Sequence, residues 1–92
     1  QDFDLRDLDA FVAVARTRNF RRAALESRVS VSSLSQRLRD MEERLGVRLM
    51  NRTTRRVTLT EAGQRYLESA ERIIEELERA DAAAEIVAEA LA

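Results

Sequence analysis

The chain has 92 residues and contains no cysteine, histidine, lysine or proline, and only two glycines. Without cysteine and histidine it can form neither a disulfide nor a Cys/His zinc site, and it lacks the usual nucleophile–base pairs of enzymes. The acidic pairs Glu42-Glu43 and Glu75-Glu76 are adjacent, so their carboxylates point in different directions on a helix, and no glycine-rich phosphate loop is present. We therefore expect a protein that is not an enzyme and binds no metal.

No segment is typical of a targeting signal or a membrane span. The first six residues, QDFDLR, are acidic and include no apolar run, which argues against a signal peptide. No stretch approaches the roughly 18 apolar residues that a membrane-spanning helix needs. The scarcity of glycine, the absence of proline and the many Leu, Val, Ile and Ala residues favour a soluble, intracellular, helical protein.

All positive side chains are arginines, and they are unevenly distributed. Residues 16–60 hold twelve arginines and four acidic residues, a net charge of +8, whereas residues 61–92 hold three arginines and nine acidic residues, a net charge of −6. A basic block followed by an acidic helix is typical of a nucleic-acid-binding domain joined to an element that stays off the nucleic acid. Arginine binds phosphate oxygens or a guanine edge two at a time. The alternative is an arginine-rich surface that is merely solvated.

Capping residues and apolar spacing predict the order of the secondary structure. Side chains suited to begin a helix occur at Asp4, Asn19, Ser30 and Thr60. We expect the first helix to end near residue 17 and the third to end at Gly46. Strand-prone runs at 47–51 and 57–59 flank the polar residues 52–56, which predicts a hairpin. The expected fold is mainly α: a winged helix-turn-helix of three helices plus a two-stranded β-hairpin wing, followed by a long helix.

The third predicted helix has one apolar face and one polar face. The apolar face, which we expect in the core, carries Leu34, Leu38, Met41 and Leu45. The opposite face begins with short polar side chains, as suits a recognition helix (about 30–45) that enters the major groove by its N-terminus. The candidates for reading base edges are Val31, Ser32, Ser33, Ser35, Gln36 and Arg39. An ordinary surface helix is the alternative.

Two further expectations concern this helix. The amide of Gln36 suits adenine, which it can contact through two hydrogen bonds. The acidic residues lie in the second half of the helix, where we expect the ion pairs Arg39–Glu43 and Asp40–Arg44.

The densest basic cluster, residues 52–56, is expected at the hairpin tip, within a wing spanning 51–57. There it would bind phosphates or reach into the adjacent minor groove, unless it is only a solvated loop. Arg21 and Arg22 begin the second helix, where exposed N–H groups already favour a phosphate. The candidates for backbone and wing contacts are Arg21, Arg22, Arg37, Arg52, Thr53, Thr54, Arg55 and Arg56.

The last helix carries an apolar repeat with steps of three or four residues. We expect it to form a dimer interface through Tyr66, Ala70, Ile73, Ile74, Leu77, Ala80, Ala84, Val87 and Leu91. The small residues in this seam predict a close helix pair between two chains, with packing against its own domain as the alternative. A second function is therefore open: an interaction module that associates through residues 60–92. A basic-zipper protein is disfavoured because residues 52–56 run into a strand-prone segment.

The sequence resembles the DNA-binding domain of LysR-type bacterial transcription regulators. The resemblance rests on Phe20, on Arg-Arg-Ala-Ala at 21–24 and on VSVSSLSQRLRDMEERLGVRLMNRTTRRVTLTEAG at 29–63. It implies a winged helix-turn-helix domain over 1–59 and a linker helix over 60–92 that dimerises in antiparallel fashion. It also implies a C-terminal domain, absent from this chain, that binds a small-molecule inducer, whereas this chain itself holds no cofactor.

The function implied by the resemblance is sequence-specific binding of double-stranded DNA by a homodimer on an interrupted inverted repeat. The full-length protein would be a tetramer in the bacterial cytoplasm, nucleoid-associated when bound to DNA and without a membrane partner. The DNA contacts that the resemblance implies are Val31, Ser32, Ser35, Gln36, Arg52, Thr53, Arg55 and Arg56. The chain departs from the family's pattern at several positions, since members often have Gln-Pro at 31–32, arginine at Gln36 and glycine at Arg18.

Overall fold

The computed structural model describes residues 4–53 and 56–92. Its elements, in chain order, are α1 (Leu5–Thr17), α2 (Phe20–Ser27), α3 (Val31–Leu45), β1 (Met50–Arg52), β2 (Val57–Leu59) and α4 (Glu61–Leu91). The strands form an antiparallel hairpin in which Met50 faces Leu59 and Arg52 faces Val57. This architecture confirms the predicted fold class. The predictions made for Thr54 and Arg55 lie outside the described residues.

The four predicted helix caps are confirmed. Asp4, Asn19, Ser30 and Thr60 each accept, through a side-chain oxygen, a hydrogen bond from a backbone N–H in the first turn of the helix that follows. These bonds satisfy donors that have no partner within the helix. Gly46 ends α3 with φ of 74°, in the left-handed region that glycine adopts without strain.

The first strand begins later than the sequence predicted. β1 starts at Met50, whereas the strand-prone run began at Val47. The N–H of Val47 donates to the Glu42 carbonyl oxygen at 3.2 Å, so this residue still closes the end of α3. The N–H of Leu49 donates to the carboxylate of Glu42 at 2.7 Å, so it is also unavailable to a strand partner. The strand is shifted toward the C-terminus and ends at Arg52, so this residue belongs to β1 and not to the hairpin tip.

The core lies where α1, α2 and α3 meet the hairpin. Its largest fully buried side chains are Phe11, Val14, Leu34, Leu38, Met41, Leu49 and Met50. The sequence predicted that Leu45 belongs to the apolar face of α3 that is buried in the core. This prediction was wrong, since the residue is 39% exposed. Leu45 occupies the last turn of α3, at the edge of the core.

The first half of α4 packs against its own domain. The ring of Tyr66 meets Phe11 edge-on, with centroids 5.3 Å apart, and burial raises the pKa of the Tyr66 hydroxyl. Ala70 is buried in the core. The prediction that Ala70 belongs to a dimer seam was therefore wrong, because this residue is already covered within one chain, and Tyr66 is partly buried against the same core. Beyond Ile74 every residue of α4 is exposed. No helix in the described part of the chain has the length and apolarity to cross a membrane.

Gly63 permits the start of α4 to approach the hairpin closely. A Cβ atom at this position would lie 2.8 Å from the carbonyl carbon of Leu49 and closer still to its oxygen. The same approach is held by Thr60, whose N–H donates to the Leu49 carbonyl oxygen at 3.1 Å. Its hydroxyl donates to the carbonyl oxygen of Arg48 at 2.6 Å.

Replacing Gly63 by alanine should destabilise the domain by at least about 2 kcal/mol, because the methyl group overlaps backbone that cannot move without shifting the hairpin. The free energy of unfolding in urea measures this loss. Gly46→Ala is the matched control, since nothing lies within 4 Å of its added methyl group. It should cost only about 1 kcal/mol, for the left-handed backbone. Equal losses in the two variants would contradict the close approach at Gly63.

Candidate nucleic-acid interface

The N-terminal half of α3 presents its polar face to solvent. Ser32, Ser33, Gln36 and Arg39 are exposed, and Val31 beside them is 43% exposed. Ser30 accepts a hydrogen bond from the N–H of Ser33 at 3.1 Å and donates from its hydroxyl to the Ser33 hydroxyl at 2.9 Å. The first turn of α3 is thus a cluster of short hydroxyl side chains, which allows the helix backbone to approach a ligand closely.

The two ion pairs predicted along α3 are not formed among the described residues. The guanidinium of Arg39 donates instead to the hydroxyl of Ser35, one turn earlier, at 2.8 Å. The carboxylate of Asp40 accepts a hydrogen bond from the amide of Gln36, one turn earlier, at 2.8 Å. Gln36 therefore uses one amide hydrogen internally and keeps its second N–H and its carbonyl oxygen for a ligand.

Arg52 is an internal residue that joins the hairpin to α3. Its guanidinium lies 3.1 Å from the Glu42 carboxylate and donates to the Ser35 hydroxyl at 3.1 Å. It also lies over the Phe20 ring, 5.2 Å from the centroid. The prediction that Arg52 lies at the hairpin tip was wrong, because it belongs to β1 and its side chain is only 18% exposed and already occupied.

Glu42 completes the connection from the other side. One oxygen of its carboxylate pairs with Arg52, and the other accepts from the N–H groups of Leu49 and Met50 at 2.7 and 3.3 Å. Burial lowers the pKa of Arg52, and the nearby Glu42 carboxylate opposes that shift. The sequence carries no local signal for this pair, since its members are ten residues apart on different elements.

The hydroxyl of Ser35 can still donate one hydrogen bond. Its oxygen accepts from both Arg39 and Arg52, at 2.8 and 3.1 Å. A hydroxyl has two acceptor positions and one donor hydrogen, so both acceptor positions are taken. Among the described residues no acceptor receives the Ser35 hydrogen. Ser35 is therefore suited to a partner that offers an acceptor oxygen or nitrogen.

The predicted basic contacts differ in how far their side chains are already paired. Arg37 lies against α1, with its guanidinium 2.9 Å from Asp7 and 3.6 Å from Asp4, so its charge is compensated and we remove it from the phosphate candidates. Arg21 and Arg56 are exposed and form no ion pair with a described residue. Thr53 and Arg22 complete the candidates on described residues. Thr53 closes the hairpin turn through hydrogen bonds with Arg56, and Arg22 lies 4.0 Å from Glu26.

The predicted dimer seam is exposed over its second half. Ile74 packs against the core, but the remaining predicted residues are open to solvent: Ile73, Leu77, Ala80, Ala84, Val87 and Leu91. They step along α4 by four and three residues in alternation and therefore share one face.

Residues 5–64 match the family model described as a bacterial regulatory helix-turn-helix protein of the lysR family. The chain belongs to the LysR family. Its members are transcription regulators and not enzymes, and this chain comprises their DNA-binding domain.

Characterised LysR-family proteins are similar over most of this domain. The HTH-type transcriptional regulator PgrR of Escherichia coli is 53% identical over 64 residues, which are 70% of this chain and 21% of the relative. The Hca operon transcriptional activator HcaR of the same organism is 47% identical over 77 residues, or 84% of this chain and 26% of the relative. The chain thus spans about a quarter or less of the length of these relatives.

Two solved structures of LysR-type DNA-binding domains with DNA have the same fold. The BenM DBD in complex with catB site 1 DNA has a TM-score of 0.88 and 28% identity. The match covers 94% of this chain and 97% of the BenM chain. The CbnR DBD–DNA complex has a TM-score of 0.84 and 35% identity, and covers 94% and 99% of the two chains.

Within this LysR-family domain, Glu42→Gln should lower the free energy of unfolding by about 2–3 kcal/mol. The variant leaves the buried Arg52 guanidinium without a counter-charge. The uncharged Ser35 hydroxyl would still accept from this guanidinium, whereas its Nε atom has no hydrogen-bond partner among the described residues. Urea unfolding measures the loss. Glu43→Gln, next in sequence but exposed, is the control and should change stability by no more than about 0.5 kcal/mol. Equal urea midpoints for the two variants would contradict the role of Glu42 as the counter-charge of Arg52.

Proposed function

We propose that this chain binds specific double-stranded DNA sequences as a homodimer and so directs a LysR-type transcription regulator to its sites. In this proposal α3 enters the major groove by its N-terminus, and the wing at 51–57 contacts the backbone or the adjacent minor groove. The observation that carries it is the exposed polar start of α3, free of acidic residues and flanked by arginines without ion pairs. The division into a DNA-binding domain over 1–59 and a linker helix over 60–92 is part of the same proposal.

The charge distribution supports this orientation. Arg21, Arg56 and the polar face of α3 belong to the basic part of the chain, whereas α4 carries a net negative charge over 61–92. At 1.5 Å per residue, the 31 residues of α4 span about 46 Å. Phosphates repel this acidic helix and attract the arginines, so the electrostatic field favours approach by the α3 side.

Base recognition is assigned to Gln36 and Ser35, with Val31, Ser32, Ser33 and Arg39 beside them. Gln36 retains one N–H and its carbonyl oxygen, the combination that pairs with the N6 and N7 positions of adenine. Ser35 offers a hydrogen to an acceptor such as a phosphate oxygen or the O6 of guanine.

Selection of binding sites from a random pool of duplexes tests the proposal. We expect the wild-type chain to enrich an interrupted inverted repeat. Gln36→Ala should relax the preference at one base position in each half-site, by about 1–3 kcal/mol, while the other positions keep theirs. Gln64→Ala, on the exposed surface of α4, is the matched control and should enrich the wild-type repeat. Failure of the wild-type chain to enrich any sequence would refute sequence-specific binding. A uniform loss in Gln36→Ala would make Gln36 a positioning contact.

The dimer is assigned to the exposed seam of α4. The apolar side chains Ile73, Leu77, Val87 and Leu91 share this face with small alanines, and they have no covering partner within the described chain. Two such helices can pack closely in antiparallel fashion and hold two recognition helices on one face of the DNA. For the whole protein we propose a tetramer located in the cytoplasm, on the nucleoid.

Leu77→Asp should convert the dimer to a monomer, because a carboxylate would be buried between the two helices. Sedimentation velocity at micromolar concentration measures the change. Ile86→Asp is the matched control: Ile86 is also exposed, at 67% against 45% for Leu77, but it lies on the opposite side of the helix. It should leave the dimer intact. A monomer in Ile86→Asp and a dimer in Leu77→Asp would place the interface on another face.

A further inference from the structure

Among the described residues, three arginines and no acidic residue line a cleft between the start of α2 and the hairpin. It has a volume of about 360 Å³, and Arg18, Arg21 and Arg56 contribute to its walls together with Thr53. The groove between α1 and α3 differs, because Asp7 and Asp40 line it together with Arg37 and Arg44. A concave surface whose charged groups are all guanidiniums attracts an anion with several oxygens.

Arg18 adopts a backbone conformation that disfavours its own side chain. Its φ of 55° and ψ of 27° are left-handed, and its N–H donates to the Val14 carbonyl oxygen at 2.8 Å to close α1. Glycine adopts this conformation freely, whereas a residue with a Cβ atom loses stability there. An arginine at this position therefore lowers the stability of the fold relative to glycine.

One nitrogen of the Arg18 guanidinium forms a hydrogen bond within the domain, and the other two remain available to a ligand. Its Nε donates to the Ala15 carbonyl oxygen at 2.9 Å, where the C-terminal end of α1 favours a positive charge. Its two terminal nitrogens form no ion pair or hydrogen bond with a described residue. The side chains of Arg21 and Arg56 likewise have no described partner. Three cationic groups thus surround one cleft without internal compensation.

We propose that Arg18, Arg21 and Arg56 form a binding site for a phosphate group of the DNA backbone, and that Arg18 is retained in its strained conformation for this contact. The inference rests on the proposed DNA binding and adds to it Arg18, which was not among the contacts predicted from the sequence. The hydrogen bond from Nε restricts the rotation of the Arg18 side chain before any ligand binds. The two terminal nitrogens therefore lose little conformational entropy on binding. A phosphodiester supplies two unbridged oxygens for such donors.

The test compares Arg18→Gly and Arg18→Lys by affinity for the selected duplex over a range of salt concentrations. Arg18→Gly should raise the urea midpoint, since glycine relieves the strain, and should weaken binding. The slope of log K against log salt should fall by about 0.9 per monomer, the value expected when a protein neutralises one phosphate fewer. Arg18→Lys retains the charge and should retain most of the slope. Stability and affinity thus move in opposite directions in the glycine variant.

Arg28→Gly is the matched control, because Arg28 has a φ of 57° at the other end of α2 and does not line the cleft. It should raise the urea midpoint and leave the slope near the wild-type value. An unchanged slope in Arg18→Gly, or an equal fall in Arg28→Gly, overturns the inference while leaving DNA binding intact. Absence of duplex binding by the wild-type chain overturns the proposed function itself. Stabilisation by inorganic phosphate that Arg18→Gly abolishes, with an unchanged DNA slope, would assign the cleft to a free phosphate and overturn the DNA assignment.

Discussion

The carboxylate of Glu42 holds the recognition helix and the hairpin in one arrangement. It pairs with Arg52 on β1, and it accepts from the backbone of Leu49 and Met50, where the chain enters that strand. Because Arg52 also donates to Ser35, the same contact orients a side chain near the N-terminal half of α3. The position of the wing beside α3 therefore depends on one carboxylate with three donors, in a site largely shielded from water.

This use of charge changes how the arginine-rich sequence should be interpreted. The net charge of the basic block suggested a broadly positive surface, but Arg37 and Arg52 are compensated by carboxylates within the domain, and Arg16 pairs with Glu71 on α4. Among the described residues, the arginines left without an ion pair include Arg18 and Arg21 beside the start of α2, Arg39 on α3 and Arg56 beside the hairpin. A smaller and more localised set of cations favours positioning of a phosphate backbone over diffuse attraction.

Local chemistry made most of the fold predictable, and contacts between distant residues limited the rest. Caps and a terminating glycine depend on neighbouring residues, so the helix boundaries followed from sequence. Arg52 was misassigned because its partner Glu42 lies on another element. Tyr66 and Ala70 continue the apolar spacing of α4, yet they face Phe11 and the core, since periodicity identifies a face but not what covers it. The start of β1 shifted because Glu42 binds the backbone that a strand partner would have used.

The close approach at Gly63 affects the direction in which α4 leaves the domain. The contact between the first turn of α4 and the Leu49 backbone fixes the angle at which this helix leaves the domain, together with the packing of Tyr66 and Ala70. The rest of α4, residues 64–91, extends about 42 Å, so a tilt of about 5° at its base would displace its far end by about 4 Å. That displacement is comparable to the rise of one base pair. In the proposed dimer, close backbone packing at Gly63 can therefore affect the separation of the two half-sites, although this residue contacts neither.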